Sequence, residues 1–346
     1  MGAAVPGRET PIELTEDELV EAIARVLSGD EPGVLVGIGD DAAVLEPRGG
    51  DLVFTTDLLV EGIHFERGSS SARDLGAKAV TVNVSDVAAM GASPRYAIAA
   101  IGVPEDVEAA WVIELTGGMR EACAEYALAL VGGDTNRAEL IVLSVAVVGE
   151  VAPRRAVTRS GAQPGDRIVV TGSLGAAAGG LAISKAPPEE AAAALSEPWG
   201  RELSEALARP VARVGEAEIL ARTGATAMMD LSDGLAIDLP RLCRSSGVGA
   251  RVALGKVPVA DALERGAGAL GVEALPLALS GGEDYELVAT MPRDAVETAR
   301  AGLFEAFGTK LSDVGEIAEG SGVEAVRDDG SVTPLEPAGW DHFGRG

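Results

Sequence analysis

The stretch Ala225-Thr226-Ala227-Met228-Met229-Asp230-Leu231-Ser232-Asp233-Gly234-Leu235 runs an apolar strand into an acidic turn, then into a helical pattern that continues to Ser245. Strand, acidic turn and helix in that order mark an α/β unit. Either Ser232 or Asp233 would cap the helix, but a cap needs one such residue. Two carboxylates and a hydroxyl within four positions, at a helix start whose amides favour anions, also suit a metal-bridged phosphate.

Similar combinations recur in Gly39-Asp40-Asp41, Thr55-Thr56-Asp57, Asn83-Val84-Ser85-Asp86, Gly132-Gly133-Asp134 and Gly281-Gly282-Glu283-Asp284. Taken singly, each is also ordinary turn, cap or bulge chemistry, because Asp and Gly dominate turns for local reasons. Together they spread hard oxygen donors along a chain that has only two histidines and two cysteines. Such donors suit Mg²⁺, which is commonly held through carboxylates and substrate phosphates. The chain therefore reads as a magnesium-dependent enzyme acting on phosphates. His64 has no Ser or Cys motif directed at it, which argues against a hydrolase triad and leaves phosphate binding as its better role. The run Gly266-Ala267-Gly268-Ala269-Leu270-Gly271 fits GxGxxG but lacks the strand before it and the helix after it. With no GxxxxGK[ST] motif either, ATP would be held without a Walker loop.

Elements place these motifs. Thr15-Glu16-Asp17-Glu18 is a capping box that predicts a first helix over 15–28. Two strand-like runs follow, Val34 to Leu45 and Leu52 to Phe65, each interrupted by an acidic motif. Ser71 to Met90 has a helical pattern despite its β-branched run at Val80 to Val84, and there Asn83 and Asp86 share a face. A strand at Tyr96 to Val103, a helix at Asp106 to Leu128 and a strand at Leu140 to Val148 are expected next, with Gly133 and Asp134 in the last loop. Val107, Trp111, Leu115, Met119 and Ala122 form that helix's inward stripe. The stretch from Glu150 to Asp166, rich in Pro, Gly and Arg, breaks the pattern. It divides an N-terminal metal- and ATP-binding domain, 1–152, from a C-terminal α/β domain, 153–346. The second unit is expected to hold strands at Ile168 to Thr171, Ala225 to Met229, Ala250 to Leu254 and Tyr285 to Thr290, with alanine-rich helices up to Thr223.

Composition narrows the function further. At 346 residues and 47% hydrophobic content, the chain is long enough for one large or two ordinary domains with buried cores. Its 54 acidic and 28 basic residues give a formal charge of −26, which repels nucleic acid and anionic membranes. An anionic substrate then requires metal ions or local arginines to reverse the field inside its cleft. Cys123 and Cys243 show no disulfide or CxxC spacing. No run approaches the ~18 apolar residues of a membrane span, so a cytoplasmic enzyme is expected.

The series Gly37-Ile38-Gly39-Asp40-Asp41-Ala42-Ala43, Thr55-Thr56-Asp57, Glu61-Gly62-Ile63-His64-Phe65 and Asn83-Val84-Ser85-Asp86 resembles the thiamine-monophosphate kinase family. Gly132-Gly133-Asp134-Thr135, Arg159-Ser160-Gly161-Ala162, Asp230 to Leu235, Gly281 to Leu287 and Gly339-Trp340-Asp341-His342-Phe343 continue the resemblance in order. It implies an aminoimidazole-ribonucleotide-synthetase-like α/β (α+β) fold of two domains, the N-terminal mixed-sheet domain forming a homodimer. It also implies metal ligation by Asp40, Thr55, Thr56, Asp57, Asp86, Asp134, Asp230 and Asp233, ATP contacts from Gly133, Asp134, Arg159 and Ser232, and thiamine phosphate contacts from His64, Glu283 and Trp340. Thr116 stands where relatives usually carry a tyrosine near the nucleotide, and is counted with the ATP positions. Selenophosphate synthetase and a hydrogenase-maturation relative share the scaffold but use a terminal cysteine; aminoimidazole ribonucleotide synthetase stays an alternative on the shared scaffold, with the Gly-Trp-Asp-His-Phe and Glu-Gly-Ile-His-Phe segments favouring the thiamine enzyme.

The activity implied is ATP-dependent phosphorylation of thiamine monophosphate to the diphosphate, in thiamine diphosphate biosynthesis. The attacking phosphate oxygen is ionised at neutral pH, so no side chain need act as general base. The obstacle is repulsion between two anions, which Mg²⁺ held by Asp57, Asp86 and Asp230 would neutralise.

Overall fold

The computed structural model describes residues 34–36, 43–45 and 49–336. The expected first helix, Asp40 and Trp340 lie outside the described residues. In the first half the strands are β1 (Val34–Val36), β2 (Ala43–Leu45), β3 (Asp51–Val60), β4 (Ser93–Val103), β5 (Ala129–Arg137) and β6 (Val142–Val151). Its helices are α1 (Ala72–Ala89) and α2 (Ala109–Glu125). The strands form a mixed six-stranded sheet in the order β1-β2-β3-β6-β4-β5, with β4 and β5 parallel.

Two-residue alternation gives this sheet unlike faces. Along β3, Val53, Thr55 and Leu59 are buried while Phe54, Thr56 and Leu58 are exposed. The buried face packs on α1, whose start is fixed by Ser71 accepting the Asp74 amide at 3.0 Å. The run Val80 to Val84 is β-branched at four of its positions and still helical, because every one of its residues is buried. Tertiary packing outweighs a small propensity cost there. Helix α2 crosses α1 at backbone contact: a Cβ on Gly76 would lie 1.9 Å from the Leu115 carbonyl oxygen, and one on Gly118 would lie 1.8 Å from that of Arg73.

The second half contains β7 (Arg167–Thr171), α3 (Ala176–Lys185), α4 (Pro188–Ser196), α5 (Pro198–Ala208), α6 (Val214–Thr223), β8 (Ala227–Asp230) and α7 (Leu235–Ser246). There follow β9 (Gly249–Ala253), α8 (Asp261–Leu270), α9 (Ala274–Ser280), β10 (Leu287–Met291), α10 (Val296–Phe307), β11 (Leu311–Ala318), β12 (Gly322–Val326) and β13 (Val332–Pro334). Their seven-stranded sheet has the order β13-β12-β9-β11-β7-β10-β8, with β9 and β12 parallel. Among the described residues no helix is long and apolar enough to cross a membrane.

Three local expectations are corrected. Thr55-Thr56-Asp57 does not interrupt its strand; it lies inside β3, paired in unbroken register with Val147, Ala146 and Val145 of β6. Gly132, Gly133 and Asp134 do not form a loop; they lie within β5, paired with Ile98, Ala99 and Ala100. The glycines permit a close pairing, since a Cβ on Gly133 would stand 2.0 Å from the Ala99 carbonyl oxygen. Nor does Ser232 or Asp233 cap α7. Gly234 is the N-cap residue, and Asp238 inside the helix accepts the Asp233 and Gly234 amides at 3.0 and 3.1 Å.

Candidate active site

The inner face of β3 meets one face of α1 through paired polar groups. Thr55 donates its hydroxyl to Asp86 at 2.6 Å, and the Asp57 amide donates to the Asn83 side-chain oxygen at 2.8 Å. The shared helical face of Asn83 and Asp86 thus docks on the strand that carries Asp57. One position from Asp86, buried Ser85 donates to Asp230 at 2.6 Å, joining α1 to the end of β8 across 145 positions of sequence.

From Asp230 the chain enters its acidic turn alongside the Gly-Gly-Glu-Asp-Tyr loop. Leu231 donates its amide to the Glu286 carbonyl at 2.8 Å, Tyr285 to Leu231 at 3.0 Å, and Glu283 to Ser232 at 2.8 Å. Gly282 allows this approach, as a Cβ there would lie 2.4 Å from the Ser232 carbonyl oxygen. Two motifs fifty residues apart therefore run side by side.

Electrostatics reveal what converges. The Tyr285 phenol is pushed well above its ordinary value, first by burial and then by the negative field of Glu283, Asp57, Asp230 and Asp233. Carboxylates from both halves therefore act on one buried hydroxyl. Arg241 pairs with Asp233 and reaches Asp238 at 3.1 Å. The buried Asp238 carboxyl is pushed up to about 7 by burial and then by Asp233, against the pull of Arg241 and Arg159. Arg159 and Ser232 accordingly share this neighbourhood with Asp233. His64 sits in the turn after β3, where its Nδ1 accepts the Val60 amide at 3.0 Å.

Other expected positions are not gathered here. Thr56 points to the opposite face of β3, where its hydroxyl donates to the Val145 carbonyl at 2.9 Å, because neighbouring strand residues alternate sides. Gly133 and Asp134 lie on β5, separated from β3 by β6 and β4, roughly 14 Å at the usual strand spacing. Thr116 is exposed on α2 and donates to the Val112 carbonyl. Lys78, Ser85, Arg241, Asp238 and Tyr285 were not singled out by sequence as working residues. A lysine inside the apolar pattern of α1 was the one available signal among them.

The donor chemistry suits a hard cation, being all oxygen: Thr55, Asp57, Asp86, Asp230 and Asp233. Among the described residues, however, no three His, Cys, Asp or Glu side chains stand close enough to enclose a metal ion.

Residues 39–151 match the family described as AIR synthase related protein, N-terminal domain, and residues 163–328 match its C-terminal domain. A thiamine-monophosphate kinase from Escherichia coli (strain K12) is 40% identical over 315 residues, 90% of this chain and 92% of its own length. The chain belongs to the thiamine-monophosphate kinase family. The thiamine-monophosphate kinase of Aquifex aeolicus (strain VF5) is 36% identical over 331 residues, 96% of this chain and 99% of its own. A solved structure, AaThiL complexed with AMPPCP and TMP, superposes with a TM-score of 0.83 at 34% identity, covering 97% of this chain and 99% of that one. Thiamine-monophosphate kinase from Stenotrophomonas maltophilia K279a superposes at 0.72 with 35% identity, covering 95% and 98% of the two chains. Hydrogenase maturation protein HypE in complex with ATP, at 22% identity and a TM-score of 0.67, shares the fold.

Proposed function

We propose that this chain phosphorylates thiamine monophosphate to thiamine diphosphate, with ATP as phosphoryl donor and direct in-line transfer. The junction in which Thr55 and Asp57 of β3 dock on Asp86 and Asn83 of α1, while Ser85 bonds Asp230 at the end of β8, carries this reading. It supplies concentrated negative charge where a bound cation is needed, and no histidine base, as suits an acceptor oxygen that is already ionised. Mg²⁺ held by Thr55, Asp57, Asp86, Asp230 and Asp233, with Asp40 added, would offset the repulsion between the two phosphates. Arg159 and Ser232 would bind ATP beside Asp233. His64, Glu283 and Trp340 would bind thiamine monophosphate.

We assign the outer face of the first sheet to a homodimer. Phe54, Leu58, Tyr96, Ile98 and Val131 are all exposed there or on its edge strand, an apolar surface of the kind a second copy covers. Gly133 and Asp134 on β5 then stand beside the junction of two chains. Two positions so far from Asp57 in one chain would serve an ATP site completed by the other.

Incubation with ATP, Mg²⁺ and thiamine monophosphate is expected to yield ADP and thiamine diphosphate in equal amounts. ATP binding without product would instead favour a second reading, a nucleotide- and metal-binding module without catalysis.

A further inference from the structure

Lys78 stands in the middle of α1, among residues that are nearly all buried. Its own side chain is only 7% exposed. An ammonium so placed must be paired, because desolvating an isolated charge is costly. The Lys78 Nζ lies 2.8 Å from the Glu283 carboxylate and donates to the Leu207 carbonyl at 3.1 Å. One ammonium thus ties together the central helix of the first half, the end of α5 and the acidic loop of the second half.

Glu283 needs such a tie. Its backbone takes φ 68, a left-handed conformation that disfavours a residue bearing a Cβ, and its amide is committed to Ser232 at 2.8 Å. Its carboxylate also shares the surroundings of Tyr285 with Asp57, Asp230 and Asp233, which repel it. The Lys78 ammonium supplies the counter-charge that fixes its direction.

We propose that Lys78 is a positioning residue for the phosphoryl acceptor. It holds the Glu283 carboxylate ready for the amino group and cationic ring of the thiamine moiety, and takes no part in ATP binding. This inference rests on the phosphotransferase reading above.

Steady-state kinetics of Lys78→Met, Glu283→Gln and the double variant test it. Each single variant is expected to raise the KM for thiamine monophosphate about tenfold, with the KM for ATP within about twofold of wild type. The double variant is expected to be no worse than the worse single one, because both remove one linkage. Lys78→Arg, which restores the charge, is expected to recover most of the lost acceptor affinity. Should Lys78→Met not fold, Lys78→Gln keeps a donor for the Leu207 carbonyl and carries the same expectation. Additive effects in the double variant, or equal rises in both KM values, overturn the assignment and leave Lys78 a structural residue. A wild-type protein that makes no thiamine diphosphate overturns the phosphotransferase reading itself, and this inference with it.

Discussion

Asp230 is 2% exposed and engaged by Ser85, yet lies in the same charged neighbourhood as Asp57 and Asp233. An Asn there preserves shape and an acceptor for the Ser85 hydroxyl while removing charge. Asp230→Asn is expected to lower turnover at saturating ATP by about 10²–10³-fold, the usual loss when one electrostatic stabiliser is removed. Circular dichroism should show an unchanged fold; near-normal turnover would remove Asp230 from the site. Asp284 works differently. Its carboxylate accepts the Gly175 amide at 2.7 Å at the start of α3, and its carboxyl is pushed up to about 7, chiefly by burial. A raised carboxyl favours the protonated folded state, so its contribution is complete below the ordinary 3.8 and is lost as pH rises through about 7. Melting temperatures measured from pH 5 to pH 8 should therefore fall less for Asp284→Asn than for wild type.

Between α1 and α2, residue choice becomes a property of two elements at once. Gly118 is poor for an isolated helix, and Ala would improve propensity by about 1 kcal/mol. At this crossing, however, the added Cβ would occupy the Arg73 carbonyl oxygen. Gly118→Ala is expected to destabilise the fold by about 1–3 kcal/mol in urea denaturation, the usual range for overpacking. A stability gain would show that the helices separate at little cost. The same limit on local reading explains the misplaced Gly132-Gly133-Asp134: composition suggests a connector, whereas pairing with β4 makes a strand. In α1 the β-branched run conflicts with helical periodicity, and burial decided in favour of periodicity.

At the scale of the molecule, the buried Ser85–Asp230 and Lys78–Glu283 contacts bind the two halves across the site. The outer sheet face supplies the prediction that belongs here. Ile98→Asp places a charge among Phe54, Leu58 and Tyr96, and is expected to convert a dimer into monomers with loss of activity. Light scattering on the eluting protein reads this directly; an unchanged dimer would move the interface elsewhere. Sequence alone determined the oxygen-rich donor set, the strand–turn–helix order around Asp230 and the amphipathic stripe of Leu115, Met119 and Ala122. Residue type and short-range periodicity carry that information locally. Only the tertiary structure decided that Thr55 and Asp57 face α1 while Thr56 faces away, that Glu283 runs beside Ser232, and that Lys78 pairs with Glu283 and Arg241 with Asp233. Those outcomes depend on strand register and on contacts between residues as far apart in sequence as Lys78 and Glu283, where charge and packing act through space and leave no local pattern in the chain.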